Sequence, residues 1–218
     1  GEEPTRKLLL KKDFRTVRDG LKLVPGTPAF VQFASVEDIK GTELESLVIE
    51  IGSLPPFGFY RATVTRALVA IYPDRSWVEL HEAGYKEIRP NYTSSYRYKG
   101  FDVMLTPQGP AIVSETSPII FGYPQRVVET IDMMNGTAIG ESAYQSYSPL
   151  IERMKFDANF AQIDTRSTQA YDAYYLGVGY AGRENYYFGA VLHLNSSANA
   201  TELNALRSDL LAREYYAK

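Results

Sequence analysis

The chain has no cysteine among its 218 residues. That excludes disulfides, thiolate catalysis and cysteine-rich metal sites. Its two histidines, His81 and His193, are too few for a typical zinc site. No stretch approaches the roughly 18 consecutive apolar residues of a membrane-spanning helix. Positive charge is not in excess: the formal net charge is -3 and the sequence pI is near 5.5. A phosphate-binding surface needs a basic face, so no nucleic-acid partner is expected. Gly-x-Ser-x-Gly is missing as well. The formal match Gly177-x-Gly179-x-x-Gly182 lies in a tyrosine-rich strand pattern that turns into another strand. It offers no helix N-terminus to a pyrophosphate, so no nucleotide or other cofactor is expected.

What is present suits a globular domain. Apolar residues make up 44% and charged residues 22%, enough for a substantial core. Residues 1–22 carry seven Lys/Arg and four Asp/Glu, a local charge of +3. With both signs mixed, they read as a solvated lead-in segment, and residues 23–218 as a single α+β domain.

Strand patterns recur in pairs. "ATVTRALVAIY" (62–72) and "SWVELHEA" (76–83) are joined by "PDR"; "KGFDVMLT" (99–106) and "PAIVSET" (110–116) by "PQG". "PAFVQFAS" (28–35) is a further strand, "PIIF" is short and apolar, and "RPNYTSSYRY" reads as an exposed loop. Residues 156–194 predict three consecutive antiparallel strands. Helical spacing appears in "SVEDIKGTELESLVIEIGSL" (35–54), with Ser35 and Asp38 at capping-box distance. The best helix is 123–134, with Pro124 in its first turn and Val127, Val128, Ile131 and Met134 toward the core. "SPLIERMKF" (148–156) predicts another, capped by Ser148 with Pro149 first; a last one covers the C-terminal Leu203, Leu206 and Leu210. The expected fold is α+β, a mainly antiparallel sheet with helices on one face. The order of elements suits two ferredoxin-like halves meeting near 90–98.

Four Asn-x-Ser/Thr triplets begin at Asn91, Asn135, Asn195 and Asn199, where seven Asn and 29 Ser plus Thr give roughly one by chance. Asn135-Gly136 reads as a helix stop and Asn199, three residues before Glu202, as a helix cap. Asn91 and Asn195 remain as glycan acceptors, which implies an extracytoplasmic or cell-surface location. Seventeen tyrosines are the other unusual feature. Tyr171, Tyr175, Tyr186 and Tyr187 are candidates for a recognition surface, with Gly177 and Gly179 leaving room beside Tyr175. Glu79, His81 and Glu82 offer an acid/base cluster, with Glu79 and His81 on one strand face. A solvated sheet face also explains them and is the preferred reading, so no catalytic residue is assigned.

The stretch "YKGFDVML…AIVSETSPIIFGYPQRVVETIDMMNG" resembles a pattern of uncharacterised archaeal surface proteins and lipoproteins, through Tyr98, Gly100, Gly122, Val127, Val128, Ile131, Asp132 and Gly136. The resemblance implies an extracytoplasmic α+β module and carries over no catalytic residue. The preferred reading is a non-enzymatic domain that binds an unidentified protein or small molecule at the cell surface. Its membrane contact would come only through an N-terminal anchor that preceded residue 1 and was removed. The alternatives are a carboxylate-dependent hydrolase and an intracellular ligand-binding domain.

Overall fold

A computed structural model describes residues 7–42, 44–45, 63–83, 90–165, 167–168, 170–180, 186–196 and 198–212. The strands are β1 (Leu10–Lys11), β2 (Phe30–Ser35), β3 (Val64–Ile71), β4 (Trp77–Ala83), β5 (Ser94–Tyr98) and β6 (Phe101–Leu105). After them come β7 (Ala111–Val113), β8 (Thr116–Ser117), β9 (Ile119–Gly122), β10 (Phe160–Asp164), β11 (Tyr171–Tyr180) and β12 (Tyr186–Leu194). The helices are α1 (Val17–Leu23), α2 (Val36–Ile39), α3 (Pro124–Asn135), α4 (Ala143–Ile151) and α5 (Ala200–Ala212).

Ten strands form one continuous sheet in the order β12-β11-β10-β2-β3-β4-β9-β7-β6-β5. Every neighbouring pair in it is antiparallel. β1 and β8 form a separate parallel pair. Both short connections expected from "PDR" and "PQG" are hairpins, and β10, β11 and β12 follow one another as antiparallel neighbours.

Strand alternation divides the sheet into two faces. On one, Val31, Phe33, Leu68, Leu80, Ile120 and Ile163 meet the apolar stripes of three helices. These stripes are Val17 and Leu21 of α1, Val127, Ile131 and Met134 of α3, and Tyr147, Leu150 and Ile151 of α4. The fold is therefore α+β, with its three core helices on one face. The four-residue α2 lies on the other, where Ile39 packs with Ala34, Ala67, Val69, Ile119 and Phe121. Gly20 lets α1 settle close to the sheet; a Cβ there would lie 2.7 Å from Leu68 and 2.9 Å from Phe14.

Several elements differ from the expected ones. The boundary drawn at residue 22 cuts through α1, and Phe14, Val17 and Leu21 are core residues rather than a solvated lead-in. A capping box between Thr16 and Asp19 starts that helix. Of the helix expected over 35–54, α2 keeps four residues; it ends at Lys40, before Gly41 with its positive φ. Residues 43 and 46–54 lie outside the described residues. The loop expected around Ser94–Tyr98 is the edge strand β5, paired with β6 along its length.

α4 begins at the Ser142–Gln145 capping box, well before Ser148. Pro149 lies inside it, near the C-terminal end. A proline there lacks the N–H that would reach Gln145, and the Ser148 hydroxyl donates to that carbonyl instead, at 3.4 Å. Arg18 donates to the carbonyls of Ile151 and Met154 at 3.1 and 3.0 Å, closing the end of α4 from the neighbouring helix. α3 matches its expected span to within a residue and stops at Gly136, whose left-handed backbone donates to Asp132 and Met133. Its buried positions are Val127, Thr130, Ile131 and Met134, with Val128 half-buried at the margin.

Candidate functional site

The four candidate tyrosines do not form one patch. Tyr171 pairs with Leu194 at one end of the β11–β12 hairpin, while Tyr186 and Tyr187 stand at the other end. At about 3.3 Å per residue, a strand of this length separates them by some 25–30 Å. Tyr175 is 1% exposed and belongs to the core, so its place on a recognition surface is corrected. The room expected beside it is filled by the chain itself. Residues 154–158 cross this part of the sheet, with Met154 over the cross-strand pair Gly177 and Gly189 and Phe156 against Gly179. The glycines admit this segment, not a ligand. Burial pushes the Tyr175 hydroxyl up to about 12, as expected for a phenol enclosed in the fold.

Tyr186 and Tyr187 remain 55% and 58% exposed. They are consecutive on a strand and so face opposite sides of the sheet. Each ring is supported from below. Tyr186 lies 6.4 Å from the Tyr180 ring, and Tyr187 lies 5.9 Å from Phe156. Such packing limits rotamer loss on binding while leaving the outer ring face and the hydroxyl to a partner. β12 carries both at the margin of the sheet, where no further strand is paired with it among the described residues.

The acid/base candidates fall elsewhere. Glu79 and His81 are each 1% exposed, which overturns the solvated sheet face expected for them. Register explains why: Glu79 sits between Val69 and Phe121, and His81 between Ala67 and Ile119. His81 Nε2 lies 2.7 Å from Glu79 Oε2, close enough for the imidazole to favour the ionised carboxylate. Burial pushes the Glu79 carboxyl up, and His81 draws it only part of the way back. Glu82 is half-buried on the opposite strand face and pairs with Arg66. The three residues therefore do not converge on one cleft.

A row of polar side chains on the same buried face escaped the sequence reading. Gln32 donates to Gln162 at 3.3 Å, and Gln162 donates to the Tyr174 hydroxyl at 2.7 Å. Each comes from a different strand, so no local spacing announces the row.

Two open grooves are lined by described residues. One, of about 620 Å³, runs beside α2 past Glu37, Asp38, Lys40, Asn159 and Tyr180. Its best-placed carboxylate is already engaged, since Asp38 accepts from Ser35 at 2.6 Å and from Asn159 at 2.9 Å. The other, of about 370 Å³, lies between Pro25–Gly26 and the end of α3. Its Arg126 stacks 3.7 Å over the Tyr72 ring and binds Ser76, Glu129 and Asp74. Glu79 and His81 line neither groove. Among the described residues no three His, Asp or Glu side chains are grouped to hold a metal ion, and no helix is long and apolar enough to cross a membrane.

The segment from α1 to the end of α3 is also a unit by comparison: a family model described as the AF_2048_N family N-terminal domain matches residues 13–135. The chain belongs to this family. The matched region contains all but the last residue of the Tyr98–Gly136 stretch noted in the sequence and stops short of the β11–β12 hairpin. No curated protein matches the chain. Among solved structures, crystal form I of TP0453 is similar over 89% of this chain and 86% of that one, with a TM-score of 0.51 and 13% identity. Crystal form III of the same protein covers 87% and 85%, with a TM-score of 0.46 and 11% identity. The first of these likenesses supports the fold and nothing finer.

The glycan candidates differ in setting. Asn91 is exposed in the loop before β5. Asn195 is half-buried beyond the end of β12, and its amide nitrogen donates to the Thr168 carbonyl at 3.4 Å. Asn199 caps α5: its side-chain oxygen accepts from the Glu202 backbone N–H at 2.9 Å, and the Glu202 carboxylate accepts from the Asn199 backbone N–H at 3.0 Å. Asn135 is the exposed last residue of α3, beside Gly136.

Proposed function

We propose that the protein is a non-enzymatic, extracytoplasmic domain that binds a protein partner at the β11–β12 end of its sheet. The observation that carries this reading is the pair Tyr186 and Tyr187, more than half exposed on the two sides of a marginal strand. Tyrosine offers a partner a large rigid face and a hydroxyl at little entropic cost. Against a hydrolase stands the burial of Glu79 and His81, which a substrate could reach only if the sheet face opened. The surface setting rests on the excess of glycan-acceptor triplets, with Asn91 well placed for modification, and on the resemblance to archaeal surface proteins.

Hydroxyl-radical footprinting on intact envelopes of the native organism tests the reading. Tyr92 and Tyr123 are internal standards, since they are 51% and 48% exposed and lie away from β12. Tyr186 and Tyr187 are expected to oxidise several-fold more slowly than these standards when a partner covers them. Equal oxidation of all four would remove the case for binding at this end.

A further inference from the structure

β12 ends the ten-stranded sheet, and its outer backbone edge is unpaired among the described residues. Exposed edges normally carry a guard against strand addition: short length, charge, proline or a bulge. The opposite edge has such guards. β5 is five residues, "SSYRY", polar and mostly exposed, with Arg97 paired to Asp102. β12 is nine residues, "YYFGAVLHL", without proline and without a permanently charged side chain. Its register with β11 is regular from Ala173↔His193 to Tyr180↔Tyr186, so no bulge turns this length of edge aside.

Resting on the binding end assigned above, we propose that its partner is a second copy of this chain, and that the two β12 strands pair antiparallel about a two-fold axis at Ala190. Only this register pairs all nine residues. It sets Tyr186 opposite the partner's Leu194, Phe188 opposite the partner's Leu192 and Ala190 opposite the partner's Ala190, all on one face. On the other face it sets Tyr187 opposite the partner's His193 and Gly189 opposite the partner's Val191. Aromatic side chains thus meet aliphatic or imidazole ones, and no like charges are opposed, the pairing that favours adjacent strands.

The exposure pattern points to this occupant. Tyr186 and Leu194 are 55% and 49% exposed at opposite ends of the strand. An antiparallel copy covers each with the other twice over, as a closed two-fold interface does. The backbone groups of the edge are satisfied at the same time, and the two sheets become one.

Sedimentation velocity of the full chain over a concentration series tests this. The wild type is expected to reach twice the 24.5 kDa of one chain. Ala190→Lys and Ala190→Glu should each sediment as monomers while keeping the wild-type circular dichroism spectrum. Their equimolar mixture should recover the dimer, because the axis sets Lys against Glu. Leu194→Lys, at the exposed end of the strand, should also lose the dimer and serves if position 190 rejects charge. Ser95→Lys on the opposite edge should leave the dimer intact. A wild type that stays monomeric up to its solubility limit overturns the proposal. So does a dimer indifferent to these charges, or folded variants whose mixture stays monomeric. Tyrosine protection on native envelopes with a monomeric wild type would sink the second copy alone and point to a different protein at the same end.

Discussion

The hydroxyl of Tyr98 donates a 2.8 Å hydrogen bond to the carboxylate of Asp132, across 34 residues of sequence. Lys99 reaches the other oxygen at 2.5 Å, and the Thr137 hydroxyl reaches it at 2.8 Å. The turn between β5 and β6 is thereby tied to the last turn of α3. Burial alone would raise the Asp132 carboxyl; hydrogen bonds from Lys99, Thr137 and Tyr98 outweigh it and hold the group below its ordinary range. A depressed carboxylate stabilises the fold above its unfolded value, and this contribution disappears as pH falls through the folded one. Asp132→Asn is therefore expected to lower the melting temperature by a few degrees at neutral pH and to leave it nearly unchanged in strong acid. Thermal melts of both proteins across pH check this; a deficit that persists in strong acid would refute it.

Much of the fold was legible because its signals are local. "PDR" and "PQG" announce hairpins through turn chemistry, and Val127, Ile131 and Met134 announce α3 through period. β5 was not, because an edge strand exposed on both sides needs no apolar alternation. The candidate site was less legible still. Glu79 and His81 look like an outward row within β4, but Phe121 and Ile119 flank them from a strand some 40 residues later. The same holds for Tyr175: Gly177 and Gly179 signal close approach, and only the fold reveals that Met154 and Phe156 make it.

Ile131 is fully buried on α3 among the residues of the main core. Ile131→Ala removes three carbons and leaves a void that close-packed neighbours fill only in part. The expected loss is about 2–5 kcal/mol. Urea unfolding should show it as a fall in midpoint at unchanged slope. An unchanged midpoint would mean that the helix face has been misassigned.

The buried pair on β4 gives an opposite pH signature to that of Asp132. Burial raises the Glu79 carboxyl above its ordinary value of 4.5, with His81 offsetting only part of the effect. A raised carboxyl favours the fold below the unfolded value and costs stability as pH rises through the folded one. Glu79→Gln removes that penalty and keeps the shape of the side chain. The variant is expected to match or exceed wild-type stability at neutral pH and to lose part of the decline above pH 4.5. Denaturant titrations of both proteins between acid and neutral pH decide it. A variant markedly less stable than the wild type at neutral pH would show that the charged carboxylate is needed in place.

The acceptor triplets yield a ranking, sharpened by the structure. Glycan transfer needs an amide nitrogen free in solvent on backbone that can move, which loops supply. Asn91 meets this best, exposed in the loop ahead of β5. Asn195 follows, since a half-buried position slows access and its amide nitrogen donates to the Thr168 carbonyl at 3.4 Å. Asn199 ranks below both because its side-chain oxygen holds the Glu202 N–H in the first turn of α5, which fixes the amide orientation. Asn135, though exposed, is anchored at the end of α3 against the left-handed Gly136. Glycopeptide mass spectrometry on protein from the native organism should find Asn91 the most occupied, then Asn195. Occupancy confined to Asn135 or Asn199 would reverse the ranking. Unmodified protein recovered from the cytoplasm would remove the glycan argument for a surface location.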